Sequence, residues 1–272
     1  MKVYSWDDIK EGKCVYDKSA VTIGGFDGPH LGHKSLFDAV LAYSAKNNVP
    51  AGIITFTHSP KAVVRANEYS GDITTVKLKL EYLECLGFDF CAVIDFSCEI
   101  SKIKGSDFLD IVRKFCSMQF IAVGLDFHCG YNRDTGVAEL SSYAKVNGLE
   151  FAALEEVLYE NKRISSSFIR QAVAEGSFAA VNALLGRPYC VDTSSFEWRS
   201  KSSGSGLLMT ANKTGTQIFP PDGEYEVCVT CADKDGHERC LCTRLYVESN
   251  FLRLEIPLEQ PLTQSITRIT YN

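Results

Sequence analysis

The stretch Val21-Thr22-Ile23-Gly24-Gly25-Phe26-Asp27-Gly28-Pro29-His30-Leu31-Gly32-His33 decides how this chain is read. Its apolar start predicts a strand. Gly24, Gly25 and Gly28 end that strand, and from Ser35 to Ala45 the apolar residues Leu36, Phe37, Val40 and Leu41 recur at helical spacing. Two histidines, three apart around Gly32, therefore sit where a strand hands over to a helix, which is where an open α/β sheet holds its ligands. Glycines let a backbone approach a phosphate closely, and the N–H groups of a helix start favour an anion. Imidazoles in that setting can donate hydrogen bonds to phosphoryl oxygens as charge builds in a transition state. The same histidines could instead ligate a metal or close a polar loop. They lie on a turn rather than four apart on one helix face, and no nearby cysteine or acid pair completes a ligand set, so no metal is assigned to them.

Outward from this turn, residues 1–190 alternate strand and helix. Val21–Ile23, Ala51–Phe56, Phe90–Ile94, Phe120–Val123 and Phe151–Leu154 are short apolar runs that predict strands. Lys34–Lys46, Thr75–Leu86, Lys104–Cys116 and Glu139–Asn147 carry helical spacing. Such alternation predicts parallel strands covered by helices. Ser165–Ala174 and Phe178–Leu185 predict two short helices, the second stopped by Gly186-Arg187-Pro188. After Cys190 the composition changes. Ser200-Lys201-Ser202-Ser203-Gly204-Ser205-Gly206 predicts a flexible, low-complexity stretch. Beyond it, short β runs are separated by Pro220-Pro221-Asp222-Gly223 and by Asp235-Gly236, with no helical period. The expected architecture is an α/β domain with a parallel sheet over residues 1–190, followed by a small all-β, barrel-like module over residues 191–272.

The chain has 272 residues, 45% hydrophobic and 23% charged, the balance of a globule with a sizeable core. A net charge of −6 gives no support to non-specific nucleic-acid binding, which wants a basic surface. The N-terminal MKVYSWDDIKEGK lacks the apolar core of a signal peptide, and no run nears the roughly 20 apolar residues of a membrane span, so a cytoplasmic location away from the bilayer is expected. Eleven cysteines, with no export signal, predict reduced thiols that act as small core hydrophobes. Cys228, Cys231, Cys240 and Cys242 cluster closely enough to suggest zinc. The flanking Tyr225-Glu226-Val227 and Arg244-Leu245-Tyr246 instead predict a hairpin, and a strand sends Cys228 and Cys231 to opposite faces.

Two further segments carry chemistry. In Arg163-Ile164-Ser165-Ser166-Ser167-Phe168-Ile169-Arg170, hydroxyls, helix N–H groups and two guanidiniums can converge on one anion. An ordinary serine N-cap with surface arginines would give the same letters. Phe120 to Tyr131 is a strand end that spills into a glycine loop with Asp126 and a third histidine, His128.

Taken together these segments resemble the bacterial FAD synthetases, the bifunctional riboflavin kinase/FMN adenylyltransferases. The family motif T-I-G-x-F-D-G-x-H-x-G-H is matched by Thr22 to His33. V-G-x-D/N-F is matched by Val123 to Phe127, R-I-S-S-T-x-I-R by Arg163 to Arg170 with Ser167 for threonine, and L-L-G-R-P-Y by Leu184 to Tyr189. The resemblance implies a Rossmann-like nucleotidyltransferase domain that moves AMP from ATP, with Mg²⁺, to FMN, giving FAD and pyrophosphate. It implies catalytic roles for His30, His33, Arg163, Ser166, Ser167 and Arg170. It implies substrate contacts from Thr22, Gly24, Gly25, Phe26, Asp27, Gly28, Asp126 and Phe127. One departure is Ile54-Thr55-Phe56-Thr57-His58-Ser59-Pro60, where the family has I-T-F-x-P-H-P; on a strand, a histidine one place early faces the wrong way. The second half departs further. Of the kinase motif G-F-P-T-A-N only Thr210-Ala211-Asn212 survives, after Met209, and the sequence stops at Asn272, before the family's base glutamate. A degenerate module without riboflavin kinase activity is expected; the alternatives are a bifunctional enzyme that retains that activity, or a flavin-binding or regulatory protein on the nucleotidyltransferase fold.

Overall fold

The chain is described by a computed structural model, which covers residues 1–14, 16–59, 67, 69–97, 99–203, 206–232, 237–257 and 265–271. Pro60, Cys98, Gly204, Ser205 and the Asp235-Gly236 turn pair lie outside the described residues. By contacts the chain forms two compact units: one of Met1–Tyr69 with Lys79–Ile164, the other of Ser70–Leu78 with Ser165–Asn272.

The first unit is built on a parallel sheet. Its elements run β1 (Lys2–Ser5), α1 (Trp6–Lys10), β2 (Ser19–Ile23), α2 (Leu31–Asn47), β3 (Ala51–Phe56), α3 (Val76–Cys85, entering the unit at Lys79), β4 (Phe90–Ile94), α4 (Gly105–Cys116) and β5 (Met118–Gly124). The short pair β6 (His128–Cys129) and β7 (Thr135–Gly136) follows, then α5 (Val137–Val146), β8 (Glu150–Leu154), and a second small pair, β9 (Leu158–Tyr159) and β10 (Lys162–Arg163). The six-stranded sheet has the order β1-β4-β3-β2-β5-β8, with every neighbouring pair parallel. Strands buried on both faces read as continuous apolar runs, and all five residues of β2 are buried. Successive side chains go to opposite faces. Val21 and Ile23 pack with Phe108, Leu109 and Val112 of α4, whereas Ala20 packs with Leu36, Phe37 and Val40 of α2. From β2 the chain moves outward through β3 to β4, then returns to lay β5 on the other side of β2. That reversal makes the C-terminal ends of β2 and β5 the switch point of the sheet.

The sequence reading missed β1 and α1. The edge strand β1 leaves Lys2, Val3 and Ser5 exposed and so shows no apolar run. Helix α1 did carry a local signal, because Ser5 and Asp8 form a capping box: Ser5 N donates to Asp8 Oδ2 (2.9 Å) and Asp8 N to Ser5 Oγ (3.2 Å).

The second unit holds α6 (Ser166–Ala174), α7 (Phe178–Leu185) and seven strands: β11 (Tyr189–Asp192), β12 (Arg199–Ser203), β13 (Gly206–Asn212), β14 (Gly223–Ala232), β15 (Glu238–Val247), β16 (Phe251–Pro257) and β17 (Ser265–Tyr271). They form one antiparallel sheet in the order β11-β17-β14-β15-β16-β13-β12. Residues 70–78 pack here. Asp72 N donates to Thr216 O (2.8 Å), Ile218 N to Asp72 O (2.9 Å), and Gln217 Nε2 to Ile73 O (3.0 Å). Within the stretch expected to be flexible, Ser200–Ser203 belong instead to β12, which pairs Ser200 with Met209 and Lys201 with Leu208. A sheet edge tolerates serine and lysine on strand geometry, which composition alone does not reveal.

Candidate active site

Beyond β2 the backbone is shaped by two close approaches. Phe26 takes a left-handed backbone (φ 43°), and its ring folds back so far that a Cβ on Gly24 would lie 2.7 Å from it. Helix α2 then begins with His30 as its N-cap. The His30 ring lies over Gly32, where a Cβ would meet Nδ1 at 2.8 Å and the Ile164 carbonyl oxygen at 2.9 Å. Gly32 is thus required by contact, and the Arg163-Ile164 segment runs against the first turn of α2. His30 is buried and His33 half-buried. Their rings stack at 3.7 Å with 17° between planes, and Phe26 meets His33 edge-on at 5.0 Å. His30 N donates to His33 Nδ1 (3.3 Å), so a neutral His33 carries its proton on Nε2 and is set as a donor from that atom.

Beneath the turn lies a lysine that the sequence reading did not single out. Lys79 of α3 is only 3% exposed, and its Nζ donates to Phe56 O (2.7 Å), Gly25 O (3.3 Å) and Thr55 Oγ1 (3.3 Å). Thr55 Oγ1 also donates to Gly25 O (3.0 Å). One ammonium therefore ties the glycine turn to the end of β3. Its local signal is slight: Lys79 stands four before Leu83, on the buried stripe of α3.

The neighbouring end of β5 delivers Asp126, whose carboxylate forms an ion pair with Arg163. Arg163 also pairs with Glu156 through Nη1 (2.7 Å). The arginine is aimed by a tight hairpin: Glu160 (φ 48°) and Asn161 (φ 63°) are both left-handed between β9 and β10, the geometry of a two-residue type I′ turn. The unit thus brings together the predicted Asp126 and Arg163, and it stacks His30 on His33. Thr22 is wholly buried, Phe26 and Asp27 are buried, and Phe127 packs against the core. His128 is exposed, with its Nδ1 3.0 Å from Arg133. His58 is corrected as well: β3 ends at Phe56 and His58 lies exposed in a bend, so strand alternation does not govern its direction.

In the second unit Ser165 caps α6, its Oγ accepting from Phe168 N (3.2 Å). Ser166 is half-buried and Ser167 exposed in the first turn. Arg170 donates from Nε to the Gly71 carbonyl (2.7 Å), which fixes the stem of its guanidinium.

The expected cysteine hairpin is present: Cys228 on β14 stands directly opposite Cys242 on β15. Cys231 faces the other way and is 2% exposed. Among the described residues no group of three or more His, Cys, Asp or Glu could hold a metal ion, and no helix is long and apolar enough to cross a membrane. The expectation that cysteines serve as core hydrophobes holds for Cys14, Cys91, Cys116 and Cys231 but is corrected at Cys85, Cys240 and Cys242, which are exposed.

A doubly wound α/β domain with a histidine pair on the glycine turn at its switch point defines an enzyme of the nucleotidyltransferase class. More narrowly, the chain belongs to the FAD synthetase family, which it matches over residues 14–168. It is similar to bifunctional riboflavin kinase/FMN adenylyltransferases. With that of Buchnera aphidicola subsp. Schizaphis graminum it is 27% identical, covering 80% of this chain and 71% of the relative. With that of Escherichia coli (strain K12) it is 28% identical, covering 76% and 66%. With that of Bacillus subtilis (strain 168) it is 28% identical, covering 80% and 69%. Thus the aligned region spans about two thirds of each relative's length. Its fold is shared with a macrolide-efflux protein from Streptococcus pneumoniae, with a TM-score of 0.82 and 21% identity over 100% of this chain and 89% of the other.

Proposed function

We propose that the chain is an FMN adenylyltransferase that makes FAD and pyrophosphate from FMN and ATP, without riboflavin kinase activity. The observation that carries this reading is the stacked His30–His33 pair on the glycine turn, at the switch point and with Arg163 and Asp126 in the same unit. In the reaction, an FMN phosphate oxygen attacks the α-phosphorus of ATP, the bond to the β-phosphate oxygen breaks, and pyrophosphate departs with the electron pair. The nucleophile is already ionised near neutral pH, so positioning and charge stabilisation dominate over acid–base work. His33 donates from Nε2, and His30 donates beside it, to the phosphoryl oxygens as their charge builds. The α2 start, with its N–H groups, faces the same anion. Arg163 exchanges an exposed carboxylate partner for phosphate. That exchange costs little, because half-exposed ion pairs contribute about 1 kcal/mol or less. Ser166, Ser167 and Arg170 are assigned to the β- and γ-phosphates on their motif, and Thr22, Gly24, Gly25, Phe26, Asp27, Gly28 and Phe127 to nucleotide and flavin placement.

Mg²⁺ would arrive with ATP and supply charge neutralisation. The oxygen donors of Asp126 suit a hard cation, one of them already shared with Arg163. The location fitting this chemistry is the cytoplasm.

The test is direct. Purified protein with FMN and ATP-Mg²⁺ should yield FAD and an equal amount of pyrophosphate. If neither product appears, the adenylyltransferase reading fails.

A further inference from the structure

We propose that Cys228 and Cys242 form a reversible cross-strand thiol–disulfide site, oxidised by a low-molecular-weight disulfide. The two residues are register partners in β14 and β15, and their sulfurs are 2.7 Å apart. Residues directly opposite in an antiparallel pair hold their Cα atoms about 4.5–5.5 Å apart, inside the span that a disulfide bridges. Their register and the sulfur contact place them within reach of a bridge. Cys242 is exposed and Cys228 half-buried, so a small oxidant reaches the pair from solvent.

Other thiols of the chain are placed differently. Burial holds Cys231 up to about 11, and Cys91 and Cys116 up to about 12, out of reach as nucleophiles. Cys240 shares the exposed face but stands opposite Thr230, 3.7 Å from its hydroxyl. Being two residues along the strand from Cys242, its Cα is about 7 Å away, at the limit for a bridge. Cys190 lies two strands from Cys228, across Thr270. The hydrogen bond with Cys228, and then its charge, push the Cys242 thiol upward.

The chemistry balances without a metal. One thiolate of the pair attacks a sulfur of the disulfide RSSR and releases one RS⁻. The second thiolate attacks the mixed disulfide at the protein sulfur and releases the other. Two protein thiols are oxidised to one disulfide, RSSR is reduced to two RSH, and the two protons pass to the leaving thiolates.

The experiment uses the full chain, reduced, freed of reductant and then incubated with oxidised glutathione. Remaining thiols are alkylated and the protein is mapped by mass spectrometry without reduction. Cys240 and Cys242 share the tryptic peptide 240–244, so a Cys240→Ser variant is mapped in parallel; Cys228 and Cys231 share peptide 214–234, and fragment ions of that peptide separate a bridge at Cys228 from one at Cys231. In both proteins the peptide carrying Cys228 should be found joined to that carrying Cys242, lighter by two hydrogens, in most chains. Dithiothreitol should reverse the link. Alkylated or glutathionylated Cys228 and Cys242 with no bridge between them would overturn the proposal. So would a bridge that disappears in Cys240→Ser.

Discussion

His33 is oriented before any substrate arrives, and in the proposed mechanism that is where its catalytic value would lie. Phe26 presses its ring edge-on, His30 stacks against it, and the His30 amide occupies Nδ1. A donor held in this way costs no reorganisation when charge develops. Replacing His30 or His33 by alanine should lower the turnover of FAD formation by roughly 10²–10³, the usual effect of losing one such donor. Steady-state assays with a matched thermal melt would check this, and near wild-type turnover in either variant would remove that histidine from the mechanism. Gly32 makes a sharper test of geometry. A Cβ there would meet the His30 ring at 2.8 Å and backbone oxygen at 2.9 Å, and backbone does not swing aside as a side chain tip does. Gly32→Ala should therefore displace His30, lose stability by about 1–3 kcal/mol through overpacking, and lose turnover beyond what the melt explains. Unchanged kinetics in a folded Gly32→Ala protein would show that the ring position is not critical.

At the scale of elements, the glycine turn is anchored from below by α3. Lys79 supplies three hydrogen bonds to groups that strand pairing leaves over. Lys79→Met keeps the stem and removes the ammonium, so that Phe56 O loses this donor and Gly25 O keeps only Thr55 Oγ1 among the described residues. Urea unfolding should register a loss of about 1–3 kcal/mol, and FAD synthesis should fall with it. A variant as stable as the parent would refute the anchoring role. In the second unit Asp192, at the end of β11, gives a pH signature. Burial by itself would raise its pKa, but hydrogen bonds from Ser194 Oγ (2.6 Å), Ser194 N (3.0 Å) and Thr75 Oγ1 (3.0 Å), with Lys77 nearby, outweigh burial and set it below the ordinary 3.8. A depressed carboxyl stabilises the fold fully above its unfolded value and loses that stabilisation as pH falls from 3.8 through the folded value. Denaturation midpoints should drop across that window, and Asp192→Asn should flatten that part of the drop. The same pH profile in both proteins would exclude the linkage. The elements themselves differ in legibility. Strands buried on both faces, such as Ala51–Phe56 and Phe90–Ile94, announce themselves as apolar runs. The edge strands β1 and β12 do not, because solvent permits Lys2 or Ser200 there. His30, His33, Asp126 and Arg163 were legible as types at the ends of elements. The bonds of Lys79, and the pairing of Arg163 with an acid 37 residues away, are tertiary and leave no local pattern.

Across the whole molecule, the proposed absence of riboflavin kinase activity rests on the sheet of the second unit. A cavity of about 560 Å³ is lined by Thr210 and Asn212 together with Arg199, Glu197 and Phe251. Thr210 and Asn212 belong to the Thr210-Ala211-Asn212 segment that resembles the end of the kinase motif. Preceding them, where the family resemblance calls for a glycine- and arginine-bearing phosphate loop, the chain instead forms edge strand β12, paired with β13 through Ser200–Met209 and Lys201–Leu208. Met209 itself pairs on both sides, with Ser200 and with Leu254, as a central strand residue does; proline, lacking the donor, fits poorly there. Phosphoryl transfer depends on donors held around the phosphates, and losing one such donor costs roughly 10²–10³ in rate. On the proposed reading, strand β12 stands in place of that loop and several such donors would be lost at once. Riboflavin with ATP-Mg²⁺ should therefore give no FMN or FAD above background from the same preparation that converts FMN to FAD. Appreciable FMN from riboflavin, abolished by Glu197→Gln, would show instead that the cavity is a working kinase site with Glu197 as its base.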